Sequence, residues 1–562
     1  MVTVSQKRVV RALQLLTGVG VLALTTMGAT RWAPSAHLLR KLPNSESLFA
    51  TSDGCISCHN GLSTSAGEDV SIGTSWRATM MANSSRDPYW QASVRREVLE
   101  HPTAGPAIQD KCATCHMPMA RYDAHKSGKL GEVFAHLPIG EADEESSALA
   151  ADGVGCTTCH QIKPDNLGRS ESFDGGFAIE NNSPKTGRVV YGPYEIDAGR
   201  QRVMHSSSMF KPAQGTHIQK AELCATCHTL FTEARNAKGD VVGTLPEQVP
   251  YLEWQRSEFA TADSKNPNGR TCQSCHMPTV PESLAITGVL GQPRPGLARH
   301  DFRGGNFFML RMLNKYRKEL GVQALTPELE ASAQRTVDHL GTEAATVALE
   351  SVRLNNGTLE ADVLVHNLSG HKLPTAYPSR RVWVHITARD ANHRIVFESG
   401  AIGADGAITG NDNDADGATY EPHYRQITRA DEVQIYESVM VDTAGHPTTG
   451  LLSAVRFAKD NRLLPRGFQK ANAPADVAVR GTALDDADFT AGEDRVHYAV
   501  ALPQGTGPVT VSVELRYQPI SFRWAKNLGE HKAAEIQRFS AYYSSMSQGS
   551  STVLAHAEAE GR

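Results

Sequence analysis

The stretch Cys112-Ala-Thr-Cys115-His116-Met117-Pro118 contains the pattern that decides the fold of this chain. Two cysteines lie three positions apart, and a histidine follows the second cysteine directly. The pattern occurs five times and uses all 10 cysteines of the 562-residue sequence. The five motifs, numbered first to fifth in chain order, are Cys55-Ile-Ser-Cys58-His59, Cys112-Ala-Thr-Cys115-His116, Cys156-Thr-Thr-Cys159-His160, Cys224-Ala-Thr-Cys227-His228 and Cys272-Gln-Ser-Cys275-His276.

A Cys-x-x-Cys-His motif is typical of c-type haem attachment. The two thiols form thioethers with the vinyl groups of one porphyrin, and the adjacent imidazole ligates the iron from one face. Other uses of paired cysteines fit less well. A Cys₄ zinc site takes two pairs, and five pairs cannot be divided in that way. A thioredoxin-like pair occurs once, beside a βαβ pattern, and a disulfide framework does not place a histidine after every second cysteine. The sequence therefore predicts five covalently attached haems.

The spacing of the motifs predicts how these haems are arranged. Successive motifs start 44 to 68 residues apart. This is too little polypeptide to enclose each haem in a hydrophobic core of its own. We therefore expect the haems to pack against one another as a chain, with short helices and loops between them, and to conduct electrons.

Histidines outside the motifs are candidates for the second axial ligand of each iron. The presence or absence of that ligand separates electron carriers from catalysts. We expect His125, His205, His217 and His300 to be distal ligands, and for each of them the alternative is a solvated histidine or one that supports a ligand. Methionine is a further alternative, supplied by Met80 or Met81, although methionine more often packs against apolar surface. The other histidines of this region are His101 and His136.

The motifs and their surroundings resemble the superfamily of multihaem cytochromes that includes hydroxylamine oxidoreductase and pentahaem nitrite reductase. The resemblance covers residues 50–310. It implies a mostly helical c-type cytochrome fold with parallel and perpendicular haem pairs, in proteins that carry electrons or convert small nitrogen or sulfur compounds. This chain lacks the Cys-x-x-Cys-Lys motif of the nitrite reductases and the eight haems of the hydroxylamine oxidoreductases, which favours electron transfer. The matching segments are Cys-x-x-Cys-His-Met-Pro at 112–118 and 272–278, Gly153-Val-Gly-Cys156, Ala221-Glu-Leu-Cys224 and His300-Asp-Phe-Arg-Gly-Gly-Asn306.

The character of the sequence changes after His300. Helical spacing at 306–320 and 327–340 gives way to about seven alternating apolar runs between 346 and 517, which are typical of strands and suggest a β-sandwich. We predict an α+β chain: a mostly helical and loop multihaem cytochrome c domain, an all-β sandwich-like domain, and a short C-terminal helix at 529–546 that packs back on the haem domain. The predicted boundaries are 45–310 for the pentahaem domain, 311–343 for a helical connector, 344–520 for the β-domain and 521–562 for the C-terminal helical segment and tail.

One loop of the predicted β-domain, residues 367–381, contains candidate haem contacts. It resembles a segment found beside haems in some larger bacterial multihaem cytochromes. We expect His371 to be a distal ligand delivered from the second domain, and Arg380 or Arg381 to pair with haem propionates. A polar hairpin loop is the alternative of equal weight. His423 is a weaker candidate of the same kind.

A second loop, Asp412-Asn-Asp414-Ala-Asp416-Gly417, matches the first half of an EF-hand calcium loop. Position twelve of the pattern is His423, where the bidentate glutamate belongs. A solvated acidic turn is therefore favoured over a calcium site.

Residues 1–36 are expected to be a signal peptide or an N-terminal anchor. Lys7, Arg8 and Arg11 precede the uncharged run 12–30, which is the charge order of an export signal and is just long enough to span a bilayer. The remainder is then periplasmic or extracellular. A formal charge of −5 gives no electrostatic case for nucleic acid, and a mean hydropathy of −0.35 excludes a multi-span membrane protein.

These observations favour an exported pentahaem electron carrier that passes electrons between redox partner proteins. The runner-up is an enzyme in which one five-coordinate haem binds a small nitrogen or sulfur compound. A third alternative is a subunit of a larger conductive assembly with other cytochromes.

Overall fold

Short helices dominate the part of the chain that contains the five motifs, and strands dominate the part that follows. The computed structural model describes residues 47–140, 145–181, 187–260 and 266–561, which belong to one compact unit. Helices make up 31% and sheets 23% of the structure, so the chain is α+β as predicted. The signal peptide or anchor expected at 1–36 lies outside the described residues.

None of the helices in these four stretches has both the length and the apolar character that crossing a lipid bilayer requires. The helix Pro88–Glu100 shows how local sequence starts a helix here. Asp87 accepts hydrogen bonds from the backbone N–H groups of Tyr89 and Trp90, and Pro88 stands in the first turn, where a backbone N–H is not needed. Up to the β-rich part, the helices are α1 Asp53–Ile56, α2 Ile72–Arg77, α3 Pro88–Glu100, α4 Gly105–His116, α5 Pro118–Lys126, α6 Glu145–Ala151, α7 Cys156–Cys159, α8 Ala198–Ser208, α9 Ala221–Ala225, α10 Pro250–Trp254, α11 Cys272–His276, α12 Phe307–Lys315 and α13 Thr326–His339.

Two small sheets interrupt this helical part, and the sequence analysis did not predict them. Strand β1 (Arg188–Gly192) pairs in parallel with β2 (Phe210–Gln214), and β3 (Leu230–Arg235) pairs antiparallel with β4 (Val241–Gln248). The strands are short and partly exposed, so they lack the long apolar alternation by which strands are recognised in a sequence.

The β-rich part contains three sheets. The first has the strand order β10-β7-β15-β16, with β8 also paired to β7; the second has the order β5-β6-β14-β9; and the third has the order β12-β11-β13. The strands are β5 Ala345–Asn355, β6 Thr358–Asn367, β7 Arg381–Arg389, β8 Ile395–Ser399, β9 Gln426–Ile427, β10 Ile435–Tyr436, β11 Ser438–Val441, β12 Pro447–Thr448, β13 Arg456–Asp460, β14 Glu493–Ala501, β15 Val509–Gln518 and β16 Thr552–Gly561.

The two larger sheets contribute to one hydrophobic core. Val363 and Val496 from the second sheet belong to the same buried cluster as Val384 and Val513 from the first, and each is fully buried. Alternate residues of a strand point to opposite faces, so the Val-rich alternation seen in the sequence places one side of each strand in this core.

The C-terminal segment differs in part from the expectation. Two helices form, α15 (Phe522–Leu528) and α16 (Ala534–Ser544), and α16 contacts α3 through the ion pair of Glu535 with Arg95 at 2.8 Å. The expected tail instead contains strand β16, which pairs antiparallel with β15. Its residues alternate between alanine and glutamate or histidine, so the strand signal is present but weakly apolar. The remaining helix, α14, is the short turn Asp412–Ala415.

Candidate functional site

Each of the five motifs includes a helical turn. The second motif ends α4, and the third and fifth motifs form α7 and α11. The first and fourth motifs begin in α1 and α9. The turn is closed where the backbone N–H of His59, His160 or His228 donates to the carbonyl of the first cysteine of its motif, at 2.9 to 3.1 Å. Residues three and four positions apart share a helix face. The two thiols and the imidazole of a motif therefore point to the same side.

The motifs face a common cavity of about 1210 Å³, which we call the motif cavity. The cysteines and histidines of the first four motifs line it, and the fifth contributes Gln273 and Ser274. A pocket for one small ligand measures ~300–1,000 Å³. The motif cavity is larger than that, and its size fits more than one porphyrin.

Cysteines from different motifs touch one another inside the described structure. Side-chain contacts join Cys55 to Cys156, Cys115 to Cys227, and Cys224 to Cys272. All ten cysteines are free thiols. These three contacts connect the first motif with the third, the second with the fourth, and the fourth with the fifth. Groups attached to these sulfurs are therefore neighbours.

Two of the motif cysteines are deeply buried. Burial raises the pKa of Cys159 to about 12 and also raises the pKa of Cys112 well above its usual range. The sulfur in a thioether carries no charge and is compatible with this burial.

Four of the five motif histidines are fixed through Nδ1 by a backbone carbonyl, as metal-ligating histidines usually are. A ligating histidine normally donates its second ring N–H to a backbone carbonyl or a carboxylate, which fixes the ring and leaves the other nitrogen for the metal. Burial lowers the pKa of His116 and His228 to about 4, so their rings are neutral, as ligation requires. The Nδ1 contacts are His59 to Ile286 O at 2.7 Å, His116 to Ser84 O at 3.0 Å, His160 to Tyr191 O at 2.6 Å and His276 to Arg303 O at 2.5 Å.

Three histidines outside the motifs lie with their ring centres about 6 Å from those of motif histidines. His339 is 6.1 Å from His276, with planes inclined by 67°. The ring centres of His160 and His300 are 6.4 Å apart with planes inclined by 16°, and those of His276 and His371 are 6.2 Å apart with planes inclined by 13°. With metal–nitrogen bonds of ~2.0 Å and ~1.1 Å from nitrogen to ring centre, imidazoles on opposite sides of one metal have centres ~6.2 Å apart. By contrast, Trp90 lies in direct face contact with His116 at 4.4 Å.

His300 and His371 share the other properties of the motif histidines. His300 Nδ1 contacts the carbonyl of Ala298 at 3.0 Å, and His371 Nδ1 contacts that of Lys372 at 2.9 Å. Burial lowers the pKa of both rings to about 4. Both therefore combine a fixed ring, a neutral state and the separation that fits an axial pair.

Of the predicted distal ligands, His300 lines the motif cavity and His371 lies beside His276, whereas His125, His205 and His217 are not among the described lining residues. His125 contacts Asp110 through Nε2 at 2.6 Å, and His217 uses Nε2 for the carbonyl of Ile162 at 2.8 Å. The nitrogen that a haem iron prefers is therefore already engaged in both. His205 packs against Gly187, with Nε2 buried. Among the described residues that line the cavity, His300 is the only histidine outside the motifs.

The two arginines of the 367–381 loop have different surroundings. Arg380 lines the motif cavity and donates to Thr375 O at 3.0 Å and to Asn306 Oδ1 at 3.2 Å. No carboxylate of the described residues forms an ion pair with it, so it fits a haem propionate. Arg381 is buried in an ion pair with Asp414 at 2.9 Å and does not fit that role. Met80 and Met81 also line the cavity.

The loop that resembles an EF-hand does not fit calcium. Asp414 accepts from the Arg381 guanidinium, and Arg523 donates to the backbone carbonyls of Asn413 and Asp414. Two arginines therefore occupy oxygens that a cation would need. The carboxylate of Asp414 is committed to an internal ion pair, which the sequence pattern does not reveal.

His423 is no haem ligand, because its side chain is enclosed within the β-rich part beside Asp486 and Asp494. This trio has the composition of a metal site. However, the amide groups of Gln434 and Asn461 both place NH₂ against His423 Nδ1, at 2.8 and 3.1 Å. Each amide oxygen accepts a backbone N–H, which fixes that orientation. The proton of the neutral ring therefore stays on Nε2, the atom that would have to bind a metal.

Comparisons with known proteins add one resemblance. No protein-family model matches the chain, and no curated protein matches it. Among solved structures, the chain is similar to a penta-heme cytochrome c552 from Thermochromatium tepidum, with a TM-score of 0.49 and 14% identity over 92% of this chain and 100% of that chain. A TM-score below 0.5 does not establish a common fold. The assignment of the site therefore rests on the residues themselves.

Proposed function

We propose that the protein is a multihaem c-type cytochrome that transfers electrons between redox partner proteins through five covalently attached haems. The observation that supports this proposal best is that the rings of His300 and His371 lie 6.4 and 6.2 Å from those of motif histidines, a spacing that leaves room for an iron between the two rings. When bound, each haem supplies reversible one-electron chemistry at its iron. Ten free cysteines arranged in five identical motifs supply the attachment points.

We assign His300 to the iron of the third motif and His371 to the iron of the fifth. Each assignment gives a bis-histidine site whose two rings are fixed by carbonyls through Nδ1. Such sites carry electrons without binding substrate, since no coordination position is open. The contacts between cysteines of different motifs favour haems that lie close to one another. Electron transfer along a chain of haems requires such closeness.

The first test is spectroscopic, on authentic protein that contains its haems. A pyridine haemochrome assay and intact mass should give five haems per chain. Electron paramagnetic resonance of the oxidised protein should show low-spin bis-histidine signals, and His300→Ala and His371→Ala should each convert one of them to high spin. His125→Ala is the matched control, because its Nε2 is bound to Asp110. Fewer haems, or unchanged spectra in both ligand variants, would overturn the proposal.

A second candidate function is the reduction or oxidation of a small nitrogen or sulfur compound. The favouring observation is that His300, opposite His160 of the third motif, is the only histidine outside the motifs in the described lining of the motif cavity. An iron with an open position binds carbon monoxide after reduction. Carbon monoxide binding to the unmodified protein would favour the enzyme, and its absence would favour the carrier.

We also propose an exported location, in the periplasm or outside the cell, on the basis of the charged and then apolar sequence of residues 1–36. Other cytochrome subunits are possible partners of the same chain. Haem-stained fractionation of cells, with and without residues 1–36, tests the location, and the mass of the native particle tests the assembly.

A further inference from the structure

We propose that Glu253 is a positioning residue, which holds the His371 loop so that the imidazole reaches the iron of the fifth motif. This inference rests on the proposed function, because it assumes that His371 is an axial ligand. Glu253 belongs to α10, which precedes the fifth motif, and it is completely buried. His371 lies 118 residues further along the chain, in the loop between β6 and β7.

The first support is the set of bonds that Glu253 makes. Its Oε2 accepts from the backbone N–H of Lys372 at 3.1 Å and from the hydroxyl of Thr375 at 2.5 Å. Its Oε1 lies 2.9 Å from Arg462 Nη1. One carboxylate oxygen therefore binds the loop on the residue next to His371, and the other is neutralised by a cation.

The second support is that the peptide groups around His371 have partners on both sides. The carbonyl of His371 accepts from Asn367 Nδ2 at 2.8 Å and from Ser369 Oγ at 2.9 Å, while the N–H of the same peptide group, on Lys372, donates to Glu253. The carbonyl of Lys372 contacts His371 Nδ1. Fixing these groups fixes the direction of the ring, since Nδ1 and Nε2 lie on opposite sides of it.

The third support is the charge balance. Lys372 Nζ lies 2.7 Å from Asp460 Oδ2, and Arg462 bridges Asp460 and Glu253. The four side chains are at most 7% exposed. The two positive and two negative charges balance one another, which lowers the free-energy cost of burying these four side chains. The network links α10 of the motif-bearing part to the β-rich part at the place where His371 lies beside His276.

A positioning role and a purely structural role predict different measurements. If Glu253 only stabilises the fold, its loss lowers the unfolding midpoint and leaves the haem spectrum of the folded protein unchanged. If it positions His371, its loss also weakens the axial bond of one iron. The position of a side chain determines whether it can coordinate a metal. Mutating a residue that holds such a ligand commonly lowers metal affinity or activity ~10–100-fold.

The experiment compares four variants of the haem-containing protein, selected as folded by far-UV circular dichroism. Glu253→Ala should convert one haem from low to high spin and bind one equivalent of carbon monoxide more than the wild type. Glu253→Gln should restore most of the low-spin signal, because one amide oxygen can accept from both Lys372 and Thr375. Thr375→Val removes a single bond to the loop and keeps the test available if Glu253→Ala does not fold. Asp414→Asn is the matched control, since it breaks the equally buried pair with Arg381 away from His371.

The outcomes separate this inference from the proposed function. His371→Ala alone tests whether that ring is a ligand. If His371→Ala changes the spin state and neither Glu253→Ala nor Thr375→Val does, the positioning role is refuted and the ligand assignment stands. If Asp414→Asn changes the spin state as strongly, the effect is a general consequence of lost stability, and the inference is also refuted. A change confined to the Glu253 and Thr375 variants, with recovery in Glu253→Gln, supports it.

Discussion

Replacing Asp460 by Asn should destabilise the protein by about 3–5 kcal/mol, the usual effect of breaking a buried ion pair on one side. Asp460 accepts from Lys372 Nζ at 2.7 Å and from Arg462 Nε and Nη2 at 2.9 and 2.8 Å. In the Asn variant, Glu253 is the only anion of the network that remains to balance Lys372 and Arg462. One net positive charge is therefore left among side chains that are almost fully buried.

The pKa of Asp460 gives the same expectation a pH dependence. Burial alone would raise this pKa, but the charges of Arg462 and Lys372 hold it well below its usual range. A carboxyl with a lowered pKa in the folded state stabilises the protein above its unfolded value of about 3.9, and this stability is lost as the pH falls below that value. The difference in the free energy of unfolding between wild type and Asp460→Asn should therefore be at its full value at pH 7 and become smaller at acidic pH.

The assay is urea unfolding of the haem-containing protein, followed by far-UV circular dichroism at pH 7 and at lower pH. Asp390→Asn serves as the surface control, because its partner Arg394 has a side chain 75% exposed. Exposed pairs are worth about 0–1 kcal/mol. If Asp460→Asn costs no more than Asp390→Asn, the four buried charges do not act as a network and the reasoning is wrong.

Three further predictions concern other parts of the molecule. Replacing Cys272 and Cys275 by Ser should remove one haem of five in the pyridine haemochrome assay, and a full count would contradict attachment at the fifth motif. Trp90→Ala should cost about 3–5 kcal/mol in urea unfolding, because a large buried ring is lost beside a motif histidine. His385 and then Arg516 hold the pKa of Glu514 down to about 2. Its stabilising effect is therefore present above pH 4.5 and lost as the pH falls towards 2, and Glu514→Gln should flatten the acid-unfolding profile in that window.

The local geometry of the five motifs could be predicted from the sequence because each motif lies within five consecutive residues. A helical turn of that length already directs two thiols and an imidazole to one side. The strands of the larger sheets were recognisable for a similar reason, since alternation within β6 or β15 is local information. The small sheets β1–β2 and β3–β4 were missed because their strands are short and partly exposed.

The surroundings of the candidate distal ligands were only partly predictable, because they depend on tertiary contacts. His217 and His300 look alike in the sequence, yet His217 Nε2 meets the carbonyl of Ile162 and His300 faces His160. The calcium-like loop was ambiguous for the same reason, as the partner of Asp414 lies 33 residues away. Glu253 was missed altogether. A charged residue in a short helix gives no sequence signal that it will bind a loop more than a hundred residues distant.

Contacts of this kind also join the motif-bearing part to the later polypeptide. Buried carboxylates of the motif-bearing part accept hydrogen bonds from later residues. Glu97 accepts from the backbone N–H groups of Leu451 and Leu452, at 2.8 and 3.2 Å. Glu253 accepts from the backbone N–H of Lys372. An unsatisfied buried carboxylate would cost several kcal/mol. The β-rich part is therefore joined to the motifs through buried bonds and not only by covalent connection. Because His371 sits within one of these junctions, the proposed coordination at the fifth motif would depend on the same few hydrogen bonds as the association of the two parts.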